Sequence, residues 1–584
     1  MAVEENLVAN EERSNGNPVL RIVLGLALLL PAVWFWIGGL LVPTISTVVT
    51  SFQEGHVFEE AQFVGLQNYA HLFQDPRFTS ALGFTLLLIV VRVLVVAVAP
   101  LLLAFAVNEF GLAVRIPVRL LFTVPLALFA PTAAALVWGM ALHPRLGLTR
   151  QGWLMDPGAA RTAFLVVDGL ATFGLACGVG LIFYLAALRG GKKVWTPLVA
   201  SWAVGLLATI ALTLQSFTMS YALTAGGPME RTTTLMLYQF NAAFSHFRFG
   251  VGAAAATPVL IVVMLLGLVA GLIIVLTRLR LTTTAWKRRS GLLTREGKRT
   301  GIAVALLALV LFASLGCCLP GALPWPWNVL NSLKTEADAM SSSLLPSSPS
   351  LDAYTTLADK IPMGRVRANT IPPLLGMLLL QIPIVYLGAL GIGAMRPFKK
   401  WSELLLLPFS PWLFVTVGPL SIVALEKLRD AGAMGTAAGL SPPIVLSVPA
   451  LFILTLFFKG QEPKWRAAQS EGRSAVSGFF THLILPSLPL VLLLTCVSFL
   501  VGLQDLLWPL IAGTGPEAFT ANVALLYLRG SAGPSWPVLA AAIVRLGLPA
   551  FLFFFLVFGL FQALYLDRLA LVTRAREITV ERDE

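Results

Sequence analysis

The stretch "FFKGQEPKWRAAQSEGRSAVSGFFTHLILPSLPL", Phe457–Leu490, lies between two long apolar runs. Some two dozen polar, Ala- and Gly-dotted residues interrupt the apolar pattern before it restarts in the Pro-bracketed "LILPSLP". A connection that only joins two membrane helices can be far shorter. On a helix, Ala467, Ala468, Glu471, Gly472 and Ala475 share one face, at i, i+1, i+4, i+5 and i+8. Small residues there let a second backbone approach closely, while Gln469, Ser470, Arg473 and Ser474 face away. Such a face suits a helix pressed into a groove on a soluble partner. A helix lying on lipid headgroups would bury large apolar residues instead, and this face has almost none.

The flanking runs settle the class. The 584 residues are 57% hydrophobic and 12% charged, with mean hydropathy +0.83, whereas a soluble domain carries about 25% charged residues. Runs of about 20 apolar residues, each able to cross a ~30 Å hydrocarbon layer as a helix, recur along the chain. In lipid the backbone must pair internally, so these runs are expected to be helices. The expectation is an all-α membrane protein with about twelve spans. Six lie near Val23–Val49, Ala81–Val107, Val118–Leu142, Ala163–Leu188, Val194–Phe217 and Val251–Leu276. Six more lie near Ile302–Leu319, Pro372–Met395, Leu404–Leu425, Pro442–Phe458, Phe479–Leu503 and Leu539–Tyr565.

Charge orients them. "TRLRLTTTAWKRRSGLLTREGKRT", Thr277–Thr300, holds eight Lys/Arg. "RGGKK" at Arg189–Lys193, "RPFKK" at Arg396–Lys400 and the Lys459–Arg473 loop fall on the same side, which the positive-inside tendency makes cytoplasmic, with both termini inside. The net charge of +12 therefore reads as topology plus attraction to anionic lipid headgroups, and no nucleic-acid partner is expected. The N-terminal segment is too long and acidic for a secretory leader, so the first span reads as a retained anchor. Cys177, Cys317, Cys318 and Cys496 lie in or beside apolar runs, without disulfide or zinc spacing, and read as packing residues.

Polar landmarks recur at matched places. "NYAHLFQDPRFTSALGFT" precedes the second run and "AYTTLADKIPMGRVRANT" the eighth, with Tyr69 to Thr85 and Tyr354 to Thr370 equally spaced. "QSFTMSYALTAGGPMERTTTLMLY" follows the fifth run and "QDLLWPLIAGTGPEAFTANVALLY" the eleventh, each with Gln, a Gly-Pro turn, Thr and a terminal Tyr. Two homologous six-span halves are expected. The divisions are a cytoplasmic tail at 1–22, a first half at 23–277, a basic linker at 278–300, a second half at 301–566 and a cytoplasmic tail at 567–584.

At these landmarks a family resemblance appears. "LLLPAVWFWIGGLLVPTISTVVTSF", "FVGLQNYAHLFQDPRFTSALGFT", "PTAAALVWGMALHPRLGLTRQGWL" and "LTAGGPMERTTTLMLYQFNAAFSHFRFGVGAAAA" resemble the larger permease of carbohydrate importers of the ATP-binding-cassette (ABC) class. "LNSLKTEADAM" and "LPSLPLVLLLTCVSFLVGLQDLLWPLIAGTGPEAFTANVALLYLRG" resemble the smaller permease. The group is that of maltose, glycerol-phosphate and oligosaccharide importers, here fused in one chain. The resemblance implies the type I importer fold, in the bacterial inner membrane, with a central cavity opening alternately to each side. It also implies separate ATPase subunits and a periplasmic or lipid-anchored solute-binding protein.

In that family each half offers a cytoplasmic loop of EAA–G–I-X-L-P pattern to an ATPase. The 459–486 loop matches it imperfectly: Lys464 opens it, Ala467, Ala468 and Gly472 fit, Arg466 replaces Glu, Glu471 replaces Asp, and Pro486 ends it. The first half has only "RGGKKVW" there, too short for a three-turn helix. Coupling is therefore expected mainly through the second-half loop, with "RGGKK" making at most a weak charged contact.

No phosphate-binding GxxxxGK[ST] loop occurs, and "GLLTREGKRT" has the wrong spacing. The chain is expected to be no enzyme, to need no cofactor and to hold no metal. Polar groups in apolar runs mark a candidate solute path, because hydrocarbon penalises them: Arg92, Asp168, Gln215, Gln381, Gln504 and Asp505, with Trp508 and Trp202 as aromatic faces. Arg92 and Asp168 could equally form an interhelical ion pair that holds the halves together. The alternatives are a twelve-span secondary transporter of the major facilitator type, whose loop signature "NEFGLAVRIPVR" lacks, and a degenerate permease serving as a membrane scaffold.

Overall fold

The computed structural model describes residues 18–54, 62–128, 130–142, 152–190, 194–283, 324–340, 345–471, 474–530 and 535–573, with scattered residues between 305 and 316. The first half runs through α1 (Val19–Thr50), α2 (Pro76–Asn108), the bent pair α3 (Leu112–Leu128) and α4 (Pro131–Ala141), α5 (Pro157–Leu188), α6 (Trp195–Leu214) and α7 (Phe249–Leu276). The second runs through α8 (Met363–Met395), a 3-10 segment (Lys399–Trp412) bent by 79° against α9 (Val417–Asp430), α10 (Val448–Ser470), α11 (Val476–Gln504) and α12 (Trp536–Leu564). Local chemistry fixes several starts. Asp75 caps α2 by accepting from Arg77 N at 2.9 Å, and Asp156 caps α5 by accepting from Ala159 N at 2.8 Å, each followed by a Pro that needs no amide partner.

Among the described residues, eight helices are long and apolar enough to cross a bilayer, or ten if each bent pair counts once. Four of the expected twelve are not among these eight. Most of Ile302–Leu319 lies outside the described residues. The run expected at Pro442–Phe458 is part of α10, whose second half carries Lys459, Glu462 and Lys464 and is too charged to count. The third and ninth runs are each broken mid-way, beside Pro131 and Pro411, where proline removes a helical hydrogen bond.

Lipid-facing and buried surfaces follow the helical period. On α2, Leu86, Val90, Leu94, Val98 and Leu102 form an exposed stripe four residues apart, the surface a bilayer would cover. The main core joins the halves: Leu103, Phe122, Leu181 and Leu260 of the first lie in one cluster with Ile384, Phe409, Phe452 and Phe458 of the second. Packing is exchanged, with α7 against the Lys399–Trp412 segment, α12 against α3 and α1 against α8.

Two of the expected landmarks make the same contacts twice. Thr85 Oγ1 donates to Ala81 O and accepts from Leu235 N at 3.0 Å; Thr370 Oγ1 donates to Val366 O and accepts from Ala521 N at 2.9 Å. Tyr69 Oη meets Ser51 Oγ at 2.7 Å, and Tyr354 Oη meets Ser332 Oγ at 2.9 Å. The terminal tyrosines do not correspond. Tyr238 is buried and donates to Asp75, whereas Tyr527 is 48% exposed beside Phe519.

Two short ribbons complete the fold. β1 (Gln53–Glu54) pairs with β2 (Gln62–Phe63). β3 (Arg280–Thr283), just after α7, pairs antiparallel with β4 (Leu569–Val572), just after α12, with Leu281 opposite Leu571. Segments expected to open a linker and a tail are therefore bonded to each other.

Candidate functional site

The β3–β4 ribbon sits at the basic end of the bundle, and each strand is held by a cation from the opposite half. Arg189, directly after α5, donates through Nη1 to Leu566 O and, at 2.9 Å, to Leu569 O. Lys459, on α10, donates to Leu279 O at 2.9 Å. Leu569 and Leu279 each stand two residues before the paired leucines Leu571 and Leu281. The residue after each cation, Arg189 and Lys459, is glycine. A Cβ on Gly190 would collide with Leu571 O, and one on Gly460 with Leu281 O. Only glycine lets the strand carbonyl lie on the helix backbone this closely.

Charge is balanced differently on the two sides. Arg119 on α3, fully buried, forms a two-point pair with Asp567 at 2.8 and 3.1 Å, and Arg189 joins at 3.2 Å. Lys459 pairs with Glu403 at 2.5 Å, Arg396 pairs with Glu462 at 3.3 Å, and Arg466 also contacts Glu462. Burial pulls the Lys459 ammonium down to about 8, against the opposing effect of Glu403. Burial likewise pulls Arg189 down to about 10, against Asp567.

The sides differ in what lies beyond. The helix α5 ends at Leu188. The helix α10 continues ten residues past Gly460 to Ser470, about 15 Å at the helical rise. The chain returns through a short helix, Ala475–Phe479, braced by Trp465 against Phe479 at 5.9 Å.

Within this hairpin the expected single face is not formed. The helix stops at Ser470, Glu471 leaves the helical conformation, and a new helix begins at Ala475; Ser and Gly at 470 and 472 are poor helix formers. Ala467 and Glu471 are exposed. Ala468 is buried, and it packs with Trp465 around Gly478 of the returning helix. Gly472 lies outside the described residues, as does the side chain of Ala475. Lys464 turns inward, donating to Thr283 O at 2.5 Å and Thr283 Oγ1 at 3.0 Å. Pro486 O accepts from Tyr565 Oη at 2.8 Å. Arg189 also turns inward, while Lys192 and Lys193 lie outside the described residues.

The candidate solute residues fall into separate groups. Arg92 and Asp168 are an ion pair at 2.5 and 2.8 Å, with Thr213 at 3.3 Å from Arg92. The pair joins α2 to α5, so it braces the first half and does not join the halves. Gln215 does join them. Its amide donates to Ala211 O and Phe414 O, and its carbonyl accepts from Thr416 N and Thr416 Oγ1, all at 2.8–2.9 Å. Gln381 donates to Val445 O at 3.0 Å. Trp508 is buried, its indole donating to Gly439 O, and Trp202 donates to Ala97 O. Gln504 ends α11 half-buried, and Asp505 accepts from Leu507 N at 3.1 Å beside a narrow cleft lined by Asn369, Thr370 and Asn522. Gln215 and Trp508 are both hydrogen-bonded within the fold.

Comparison with known proteins places this architecture. The chain is similar to the sn-glycerol-3-phosphate transport system permease protein UgpA of Agrobacterium fabrum, 26% identical over 232 residues, 35% of this chain and 78% of that protein. The probable ABC transporter permease protein YurN of Bacillus subtilis is 27% identical over 259 residues, 39% of this chain and 88% of that protein. Over about two fifths of its length, this chain is similar to membrane permeases of the ABC class. No family model matches it. A second permease of the glycerol-3-phosphate kind, from Brucella abortus, is 25% identical over 40% of this chain and 86% of its own length. The permease is thus multi-pass and helical. Its relatives carry no enzymatic name.

Four residues of the basic end, Gly190, Gly460, Glu403 and Asp567, escaped sequence reading. The faint signal is that "LRG" and "FKG" each end a long apolar run.

Proposed function

We propose that this permease is the complete membrane pathway of an ATP-driven importer, two fused homologous permease halves in one chain. Separate ATPase subunits at the basic, cytoplasmic end drive alternating access, and a periplasmic or lipid-anchored binding protein delivers the solute. The solute class is carbohydrate or a related polar compound such as a glycerol phosphate, following the relatives. The observation that carries the reading is the α10 hairpin, which runs ten residues past Gly460 and exposes Ala467, Ser470, Glu471 and Ser474. The contacts made twice by Thr85 and Thr370, and by Tyr69 and Tyr354, support the duplication. A secondary transporter has no use for such a hairpin.

The test is purification of the full chain from native membranes in mild detergent, followed by labelling with a photoreactive ATP analogue. A labelled subunit travelling with the permease is the expected result. Accumulation of solute that survives collapse of the ion gradients but not removal of ATP should accompany it. Uptake driven by an ion gradient, with no labelled partner, would overturn the reading.

A further inference from the structure

We infer that the β3–β4 ribbon is the strap through which one ATPase-gripped hairpin moves both halves, with Arg189–Gly190 and Lys459–Gly460 as its two clasps. The inference rests on the importer reading and answers a difficulty it creates: in the first half the matching helix ends at Leu188, and the next begins at Trp195.

The geometry supplies a continuous mechanical path. Force applied to the exposed end of α10 passes to β3 through three side chains. Lys459 holds Leu279 O, Lys464 holds Thr283 O, and Gln461 Oε1 accepts from Thr283 Oγ1 at 3.1 Å. The strand β3 continues directly from α7, the last helix of the first half. Across the ribbon β4 is held by Arg189 at the foot of α5, and Asp567, just before β4, is held by Arg119 on α3. One hairpin in the second half is thereby tied to three helices of the first, α3, α5 and α7. Coupling of this kind needs a packed, hydrogen-bonded element that moves as a unit. The ribbon meets that requirement: Leu281 and Leu571 are buried, and both strands press on glycines with no room for slippage.

Two experiments on the full chain with its ATPase subunits test this. In the first, Leu281→Cys and Leu571→Cys are combined in a chain without its native cysteines, with a protease site in the 284–300 linker to reveal the cross-link. Directly opposed residues in an antiparallel pair have Cβ atoms about 5 Å apart, close enough to oxidise. Transport by the cross-linked protein should match that of the reduced protein, because the strap moves whole. Transport lost on cross-linking and regained with reductant would show instead that the ribbon must open as a gate, and would overturn the inference.

In the second, Gly190→Ala lifts β4 from its clasp. ATPase subunits should still co-purify, since the hairpin is untouched, while solute moved per ATP falls about five-fold or more, the scale of coupling between sites. Unchanged transport per ATP would overturn the strap. A thermal melt within a few degrees of the native protein is required, with Arg189→Lys as a milder variant if Gly190→Ala fails to fold. If even the native chain retains no ATPase, it is the importer reading that has failed.

Discussion

The two halves of this permease carry the same clasp at their basic ends but differ in everything beyond it. In the first half a guanidinium follows a helix that has already ended, and the glycine after it lies beneath a strand. In the second half an ammonium sits within a helix that runs ten residues further and ends in an exposed hairpin. The difference separates two jobs. Gripping the ribbon needs a cation and a glycine, and both halves keep them. Among the described residues, a helix runs on past that glycine in the second half and not in the first.

The clasps also differ in redundancy, which substitutions can expose. Lys459 is 1% exposed at its side chain and touches Glu403 at 2.5 Å, whereas the other cations acting on Glu403 among the described residues, Arg396 at 4.0 Å and Arg280, make no such close pair. Lys459→Met should therefore strand a buried carboxylate and cost about 3–5 kcal/mol, read as the largest fall in melting temperature of the detergent-solubilised protein. Adding Glu403→Gln should recover most of that loss, because the uncompensated charge goes with it. Equal destabilisation by the single and double variants would show that the ammonium matters only through Leu279 O.

On the other side Asp567 keeps the two-point pair from Arg119 when Arg189 is removed. Arg189→Met should accordingly cost less, about 1.5–3 kcal/mol for the lost charged hydrogen bonds to Leu566 O and Leu569 O. If the two clasps cost the same in thermal melts, the contrast in redundancy is wrong.

Between the halves, Gln215 satisfies four hydrogen bonds at once. Gln215→Leu leaves Phe414 O and Thr416 N without their partner and should cost about 1–3 kcal/mol. The KM for transported solute should stay unchanged, since the amide faces protein. A large rise in KM with unchanged stability would place Gln215 in the solute path.

Gln215 shows where sequence reading stopped. Composition and apolar run length point to helices because lipid leaves the backbone no alternative, and the matched Tyr and Thr spacings mark contacts that recur, Tyr with a Ser 18 or 22 residues upstream and Thr with a backbone amide 150 or 151 residues downstream. A polar residue in an apolar run signals that something pairs with it, but not what. Gln215 finds Phe414 and Thr416 two hundred residues away, Arg92 finds Asp168 in its own half, and Trp508 turns its indole to a backbone carbonyl. The hairpin face failed for a different reason. The helical period does not carry past Ser470, where the helix stops and Glu471 leaves the helical conformation.

The smallest expected effect on stability bears most directly on the comparison. Ala467 is exposed on the last turn of α10, and an exposed helical position tolerates substitution within about 0.5 kcal/mol. Arginine is nearly as good a helix former as alanine, so Ala467→Arg should leave the melting temperature almost unmoved. It nevertheless places a long charged side chain where a partner's groove must close on a small one. Retention of ATPase subunits on co-purification should therefore fall sharply while the permease itself stays folded. Within the same experiment Trp195→Arg, at the exposed start of α6 in the first half, should leave retention intact, because the helix before it ends at Leu188. If both variants release the ATPase equally, the first half shares the grip and the asymmetry between the halves has no mechanical meaning; if neither does, the partner holds the permease elsewhere.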